Sequence, residues 1–578
     1  MKKGYLNELM TQVRSAESPS QINLVYLIAL CGLLYFPYLS ATPFFDKGEP
    51  REALAVQDIV QRGEWLFPLK RGTAIPSKPP LFHWTAALTS QWTGMLNEAT
   101  IRFPSALYAT LGVLLVYLLG RNLFGPEVGL LGGAILATTT IYQNQALSAR
   151  VDMTLCFFVT AGLVLFYALY RGLLEHPLWY FAFYGLIGLG TLAKGPLGLL
   201  LPGLVIGVFL ALKKRWDLVL KLAFHPGVLL TLMLVIGWYG LAITRGGEGF
   251  VNRQLLSENI GRFSGGSGHS HPVYYYLGYL FTLGLPWGLF LPFLFWDSVK
   301  KPWRGSDDRL FLMVWFAVMF VFFSLSAGKR PVYLLPIYPA LAVLLAEWLR
   351  RQTADLGIRL NFYRVLGVFA VLAGLILLLM AFGDLWGHNP GWFFSPMEAL
   401  LKPKDRANFL LITRRLGDFG WLFDLASTAS ALLWFGIGYG LWKGRLGAAA
   451  HQLIVLSVVT AFIVRGLIVP EIAESKSYRA FMSEVNRRVA PQEQLVIYGT
   501  FNSDPVIFYR GQVIQVDERP LTEAAFRLGP GTGAVIMTEP TWRKLFKLNP
   551  RLAAPLVRSV GRGPEGDAPL VLLRPNIS

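Results

Sequence analysis

Charged residues are scarce. Asp, Glu, Lys and Arg make up 15% of the 578 residues, where a soluble domain carries about 25%. The deficit excludes an ordinary water-soluble globule, because the 54% of hydrophobic residues is too much to hide in soluble cores. Cysteine is scarcer still. Cys31 and Cys156 both fall in apolar runs, so they read as small hydrophobes and offer neither a disulfide framework nor a CxxC site. A P-loop sequence is missing, as are HExxH, a nucleophile elbow and a kinase signature set. Internal repeats and low-complexity tracts are lacking too. The net charge of +18 comes without any basic–aromatic motif for DNA or RNA, so no nucleic-acid partner is expected. Lys and Arg sit mainly between apolar runs, within reach of lipid head groups or a phosphate-bearing substrate.

What the chain does have is a series of apolar runs long enough for a helix to cross a bilayer, about thirteen in all. They lie near 23–41, 103–124, 127–146, 151–171, 178–194, 196–213, 225–244, 274–298, 309–326, 331–349, 363–383, 420–442 and 449–469. The expected fold class is mostly α, a polytopic membrane protein. The shorter, more polar segment 80–95 follows a Pro-rich stretch and reads as an interfacial helix. The basic start MKKGYLNELMTQVR reads as a cytoplasmic tail before the first anchor. With the N-terminus inside, short basic clusters such as Lys213-Lys214-Arg215, Arg350-Arg351 and Lys443-Gly444-Arg445 fall on the cytoplasmic side, as the positive-inside rule requires.

The same orientation puts the loop 42–102, Asp152, Lys194, the loop 245–273, Lys329-Arg330, the loop 384–419 and the tail on the outer face. Ionisable groups at membrane depth are costly and mark function by default. Their convergence on one face predicts a single extracytoplasmic site. After 470 the composition shifts: LVIYG, QVIQVD, AVIMTE and LVLLR alternate with helical stretches. Two domains are therefore expected, a membrane domain over 1–470 and a small extracytoplasmic α/β domain over 471–578.

Asp46 and Glu49 stand just outside the first span, and Asp152 opens the fourth. Carboxylates so placed can act as base or electrostatic stabiliser. They can equally cap helices and pair with Arg51 or the helix dipole. Lys78, Lys194, Arg262, Lys329 and Arg330 accompany them. Fixed cations beside carboxylates suit a phosphate-bearing substrate, although Lys329 and Arg330 could also simply snorkel. His83, His269 and His271 have no obvious carboxylate partner for a metal, so no metal site is assigned.

Read in order, GEPREA, RGEWLFP, SKPPLFHW, Asp152, ENIGRF, HPVYYYLGYLFTLGLPW and SAGKRPVYLLPIYP resemble the bacterial GT-C glycosyltransferases of the protein O-mannosyltransferase superfamily. The resemblance is closest to the lipid A 4-amino-4-deoxy-L-arabinose transferase branch and runs over essentially the whole chain. It implies a GT-C fold and transfer of a sugar from undecaprenyl phosphate to lipid A, another glycolipid or a protein, with inversion, at the outer face of the bacterial inner membrane. The family acids map to Glu49 and Asp152, with Asp46 able to take part of the first role. The donor-phosphate positions map to Lys78, Arg262, and Tyr333 or Tyr338, beside Lys329, Arg330 and Arg51. Two positions depart from the branch. Gly48 stands where it has Asp, and Ser77 where it has a Glu associated with zinc. No equivalent zinc is therefore expected, use of a divalent metal is left open, and a monomer is expected. The competing readings are a transporter of lipid-linked sugars, which should show repeated halves and midplane polar residues, and an envelope-polysaccharide polymerase or ligase.

Overall fold

The computed structural model describes residues 21–72, 74–261, 271–300, 306–352, 360–385, 401, 406, 409–410, 421–517, 533–549, 554–561, 563 and 568–574. Arg262, His269, the basic start and most of the loop 384–419 lie outside the described residues.

The chain begins with α1 (Gln21–Tyr38). The long loop follows, carrying α2 (Glu49–Arg62) and α3 (Leu81–Thr93). Next come α4 (Glu98–Phe124), α5 (Pro126–Thr138), α6 (Thr140–Ala146), α7 (Val151–Tyr170), α8 (Leu178–Lys194) and α9 (Leu197–Leu212). Among the described residues nine helices are long and apolar enough to cross a membrane, or ten if one sharply bent pair is a single span. The remaining expected spans are the shorter helices α5, α8 and α9, so the expected thirteen full-length spans are not all present as such.

Two expected spans break, each for a local reason. The run 127–146 divides at Thr139, where the backbone turns extended (φ −71°, ψ 129°). There the Thr138 and Thr139 hydroxyls bond the carbonyls of Ala134 and Ile135 at 2.6 and 2.7 Å, competing with the helix for its own acceptors. The run 274–298 forms Tyr275–Leu283 and Trp287–Val299, bent by 118° around Pro286, which has no N–H to continue a helix. Elsewhere small residues let helices approach closely, as in many membrane bundles. A Cβ on Gly129 of α5 would lie 2.6 Å from the Tyr117 carbonyl of α4.

The segment 80–95 does form a helix, and its buried face (Phe82, His83, Ala86, Ala87) packs with α2 in one core. That core also takes in the far end of the chain, where Tyr478, Phe481, Val506, Phe508 and Ile536 join Phe44, Val56 and Ile59. The tail builds a five-stranded sheet of β1 (Leu495–Tyr498), β2 (Gln515–Asp517), β3 (Ala534–Thr538), β4 (Val557–Arg558) and β5 (Leu570–Leu573). Their order is β2-β1-β3-β5-β4, with β1 parallel to β2 and β3, and β5 antiparallel to β3 and β4. The helix Asp504–Arg510 and the short β4 had no signal strong enough to predict them.

Candidate active site

The site is built where the loop meets the ends of α2, α7 and α8. Asp46 organises the start of α2. Its Oδ1 accepts the amides of Gly48 and Glu49, both at 2.7 Å, and its Oδ2 accepts from Arg150 at 2.8 Å. Burial alone would push the Asp46 carboxyl up, but Arg150 and the two amides outweigh it and hold it below the usual range. Gly48 has a physical reason here. A Cβ at that position would sit 2.0 Å from the Arg150 guanidinium carbon, so this arginine occupies the space that a side chain at 48 would need.

Glu49 is buried and fully engaged. Arg102, on α4, donates Nε at 2.7 Å and Nη2 at 2.8 Å to its two oxygens, and the Ala149 amide adds a bond at 2.9 Å. The same guanidinium reaches the carbonyls of Leu39 and Thr42 at 3.0 and 2.7 Å. Arg102 was not expected from the sequence, since it sits at the edge of an apolar run and its partner is 53 residues away.

Asp152, the second residue of α7, accepts a hydrogen bond at Oδ1 from Lys194 at the end of α8. Among the described residues its Oδ2 has no partner and is not sealed from the surroundings. The Lys194 ammonium also lies 4.6 Å from the centre of the Tyr333 ring. Lys78 and Arg150 are close enough to Asp152 to act on it electrostatically.

Beside this group runs a second chain of contacts. Arg51 makes two bonds to Glu52 Oε1, at 3.1 and 2.8 Å, and Glu52 Oε2 meets His83 Nε2 at 2.9 Å. Burial would raise the Glu52 carboxyl, but Arg51 and His83 prevail and hold it well below the carboxylate range. His83 thus serves a carboxylate, a role its isolated position in the sequence did not suggest. Lys78 bonds Glu258 at 2.7 Å.

The remaining candidates are placed differently. Lys329 is buried and bonds the carbonyls of His271, at 2.9 Å, and Ser326. The backbone of Arg330 bonds the Tyr276 hydroxyl. Tyr338 is a core residue whose hydroxyl donates to the Leu280 carbonyl at 3.0 Å. Of the two tyrosines offered by the sequence, Tyr333 is the one beside the carboxylate cluster. His271 stacks on Tyr275 at 4.2 Å. Among the described residues no three His, Cys, Asp or Glu side chains converge as metal ligands, and Ser77 Oγ is buried without a hydrogen-bond partner.

Residues 77–239 match the family model described as dolichyl-phosphate-mannose-protein mannosyltransferase. The chain is 32% identical over 419 residues to the undecaprenyl phosphate-α-4-amino-4-deoxy-L-arabinose arabinosyl transferase of Pseudomonas paraeruginosa, covering 70% of this chain and 73% of that one. It is 31% identical over 464 residues to the corresponding transferase 1 of Pseudomonas fluorescens, covering 79% and 80%. In fold it is similar to ArnT from Cupriavidus metallidurans, solved bound to undecaprenyl phosphate, with a TM-score of 0.74 at 21% identity over 95% of this chain and 97% of that one. The archaeal oligosaccharyltransferase AglB from Archaeoglobus fulgidus shares the fold more distantly, with a TM-score of 0.51 at 13% identity over 90% of this chain and 69% of that one. The chain therefore belongs to the family of the undecaprenyl phosphate-aminoarabinose transferases and is a polytopic membrane glycosyltransferase of GT-C type.

Proposed function

We propose that this glycosyltransferase moves a single sugar from an undecaprenyl-phosphate carrier to an acceptor at the outer face of the inner membrane. The observation that carries the reading is Asp152. One oxygen is fixed by Lys194, and the other is open at the edge of a cluster containing Lys78, Arg150 and Arg51. The acceptor oxygen bonds to the sugar's C1 from the face opposite the phosphate. The C1–O bond breaks, and its electron pair leaves with the carrier phosphate. The acceptor proton passes to the open Asp152 oxygen. Lys78, Arg51 and Tyr333 line the leaving-phosphate side, where fixed cations stabilise developing charge. Asp46 and Glu49, with all their oxygens bonded, act as positioning residues that set the loop.

The relatives' activity as aminoarabinose transferases supports that sugar, and lipid A, another glycolipid or a protein remain the acceptor classes to test. The reading places the N-terminus in the cytoplasm, with residues 1–470 as the membrane transferase and 471–578 as the outer α/β domain. The test is donor turnover. Purified protein receives undecaprenyl-phosphate sugars and envelope acceptors, and free undecaprenyl phosphate is followed by mass spectrometry. Wild type should release the carrier, and Asp152→Asn should release at least about a hundredfold less. A wild-type protein that consumes no donor in the panel overturns the reading.

A further inference from the structure

Arg465 takes no part in the site described above. It lies in the helical stretch Leu446–Ser475, which is apolar enough to span a membrane, inside a π-helical segment, Phe462–Ile468. An arginine at membrane depth is expected to face an acidic partner or a functional ligand. Here the partner is neutral: Nη2 bonds the amide oxygen of Asn144 on α6. The groups that act electrostatically on Arg465 are the hydroxyls of Tyr35 and Tyr38, with no carboxylate among them. The Tyr35 hydroxyl is already spent on the Ala137 carbonyl at 2.9 Å.

Two further donors stand beside it. With its oxygen taken by Arg465, the Asn144 amide nitrogen still has two hydrogens to give. Tyr38 ends α1, and its ring lies against the same helix; a Cβ on Gly466 would sit 3.6 Å from it. Among the described residues neither the Asn144 amide nitrogen nor the Tyr38 hydroxyl donates to a protein group. A guanidinium, a carboxamide N–H and a phenol O–H therefore share one place with no anion among them. Such a set is a seat for phosphate oxygens.

Depth identifies the kind of phosphate. Arg445 and Arg465 are separated by helix that is continuous from Leu446. At 1.5 Å per residue the separation is about 30 Å, the thickness of the hydrocarbon layer. On the topology proposed above, Arg445 lies at the inner head groups and Arg465 at the level of the outer-leaflet phosphates. We propose that Arg465, Asn144 and Tyr38 form a binding seat for the phosphate of an outer-leaflet lipid, separate from the donor-phosphate residues. The chain from α6 into the active site is short, since Ser148 bonds the Asn144 carbonyl at 2.8 Å and Arg150 next to it holds Asp46.

The test is native mass spectrometry of delipidated protein titrated with phosphatidic acid or with diacylglycerol, which differ only by the phosphate. Wild type should prefer phosphatidic acid, and Arg465→Gln should lose about tenfold of that preference, the value of one charge-assisted hydrogen bond. Tyr38→Phe should lose a smaller part, and serves if Arg465→Gln does not fold. Asp152→Asn should retain the full preference, so failure of the catalytic reading leaves this one standing. Displacement of phosphatidic acid by purified lipid A would identify a glycolipid phosphate as the occupant, and lack of displacement a bulk phospholipid. Equal preference in wild type, Arg465→Gln and Tyr38→Phe overturns the proposal.

Discussion

The two ends of the helix bundle use the same residue types to different effect. At the end away from the long loop, Asp307, Asp308 and Glu347 are each held by two residues. Asp307 takes Lys213 at 2.5 Å and the Tyr170 hydroxyl at 2.8 Å, Asp308 takes Tyr167 and Arg171, and Glu347 takes Arg309 at 2.5 Å and Arg351 at 2.6 Å. At the loop end Glu49 and Asp46 are held by three donors each, but Asp152 has Lys194 alone among the described residues. Where two or three donors hold it, a carboxylate acts as a staple. Where a single donor holds it beside a cluster of cations, as at Asp152, an oxygen is left for chemistry. Counting partners separates the fastened acids from the one proposed to react better than counting charges does.

That contrast can be broken in order of expected effect. Asp152→Asn should lower sugar transfer by about 10²–10⁴-fold while the protein still elutes as a folded species, as read by carrier release and size-exclusion chromatography. Arg102→Met should act oppositely, as a folding defect. It strands the buried Glu49, and leaving one member of such a pair costs about 3–5 kcal/mol, visible as a lowered unfolding midpoint and poor yield. Acid should act through the stapled groups. The folded Glu52 and Asp46 carboxyls are held below their ordinary values, so their stabilisation is complete above about pH 5 and is lost as the pH falls through the folded values. Thermal midpoints should therefore drop on acidification, and Glu52→Gln should flatten that drop by on the order of 1 kcal/mol. The smallest effect belongs to Lys213→Gln. Its bond to Asp307 is about a third exposed on both sides, worth no more than about 1 kcal/mol, and transfer should stay within about twofold of wild type. A large loss of transfer there would erase the distinction between the ends.

The sequence carried the architecture because membrane spans announce themselves by length and apolarity alone. The spans that break, 127–146 and 274–298, contain local competitors, Thr138-Thr139 and Pro286, that hydropathy averages away. The site was legible in part. Glu49, Asp152, Lys78 and Lys194 could be picked out because charged groups near membrane depth are rare. Their partners could not. Arg102, Glu258 and His83 reach Glu49, Lys78 and Glu52 across 53, 180 and 31 residues, and no local pattern encodes such pairings. The reason for Gly48 was equally hidden, since it depends on where Arg150 folds.

The contacts between the two ends of the chain carry a consequence for biogenesis. The Tyr509 hydroxyl accepts from the Phe44 amide and donates to Glu98, both at 2.8 Å, and Asp504 holds Lys70 and Arg71 at 2.8 and 2.5 Å. The loop that carries Asp46 emerges from the ribosome well before its clasp, which follows 465 residues later. During synthesis that loop waits for several hundred residues before its anchorage arrives, and truncated or stalled chains would insert into the bilayer with the loop unfastened. Docking of this late segment is therefore the step that fastens the loop.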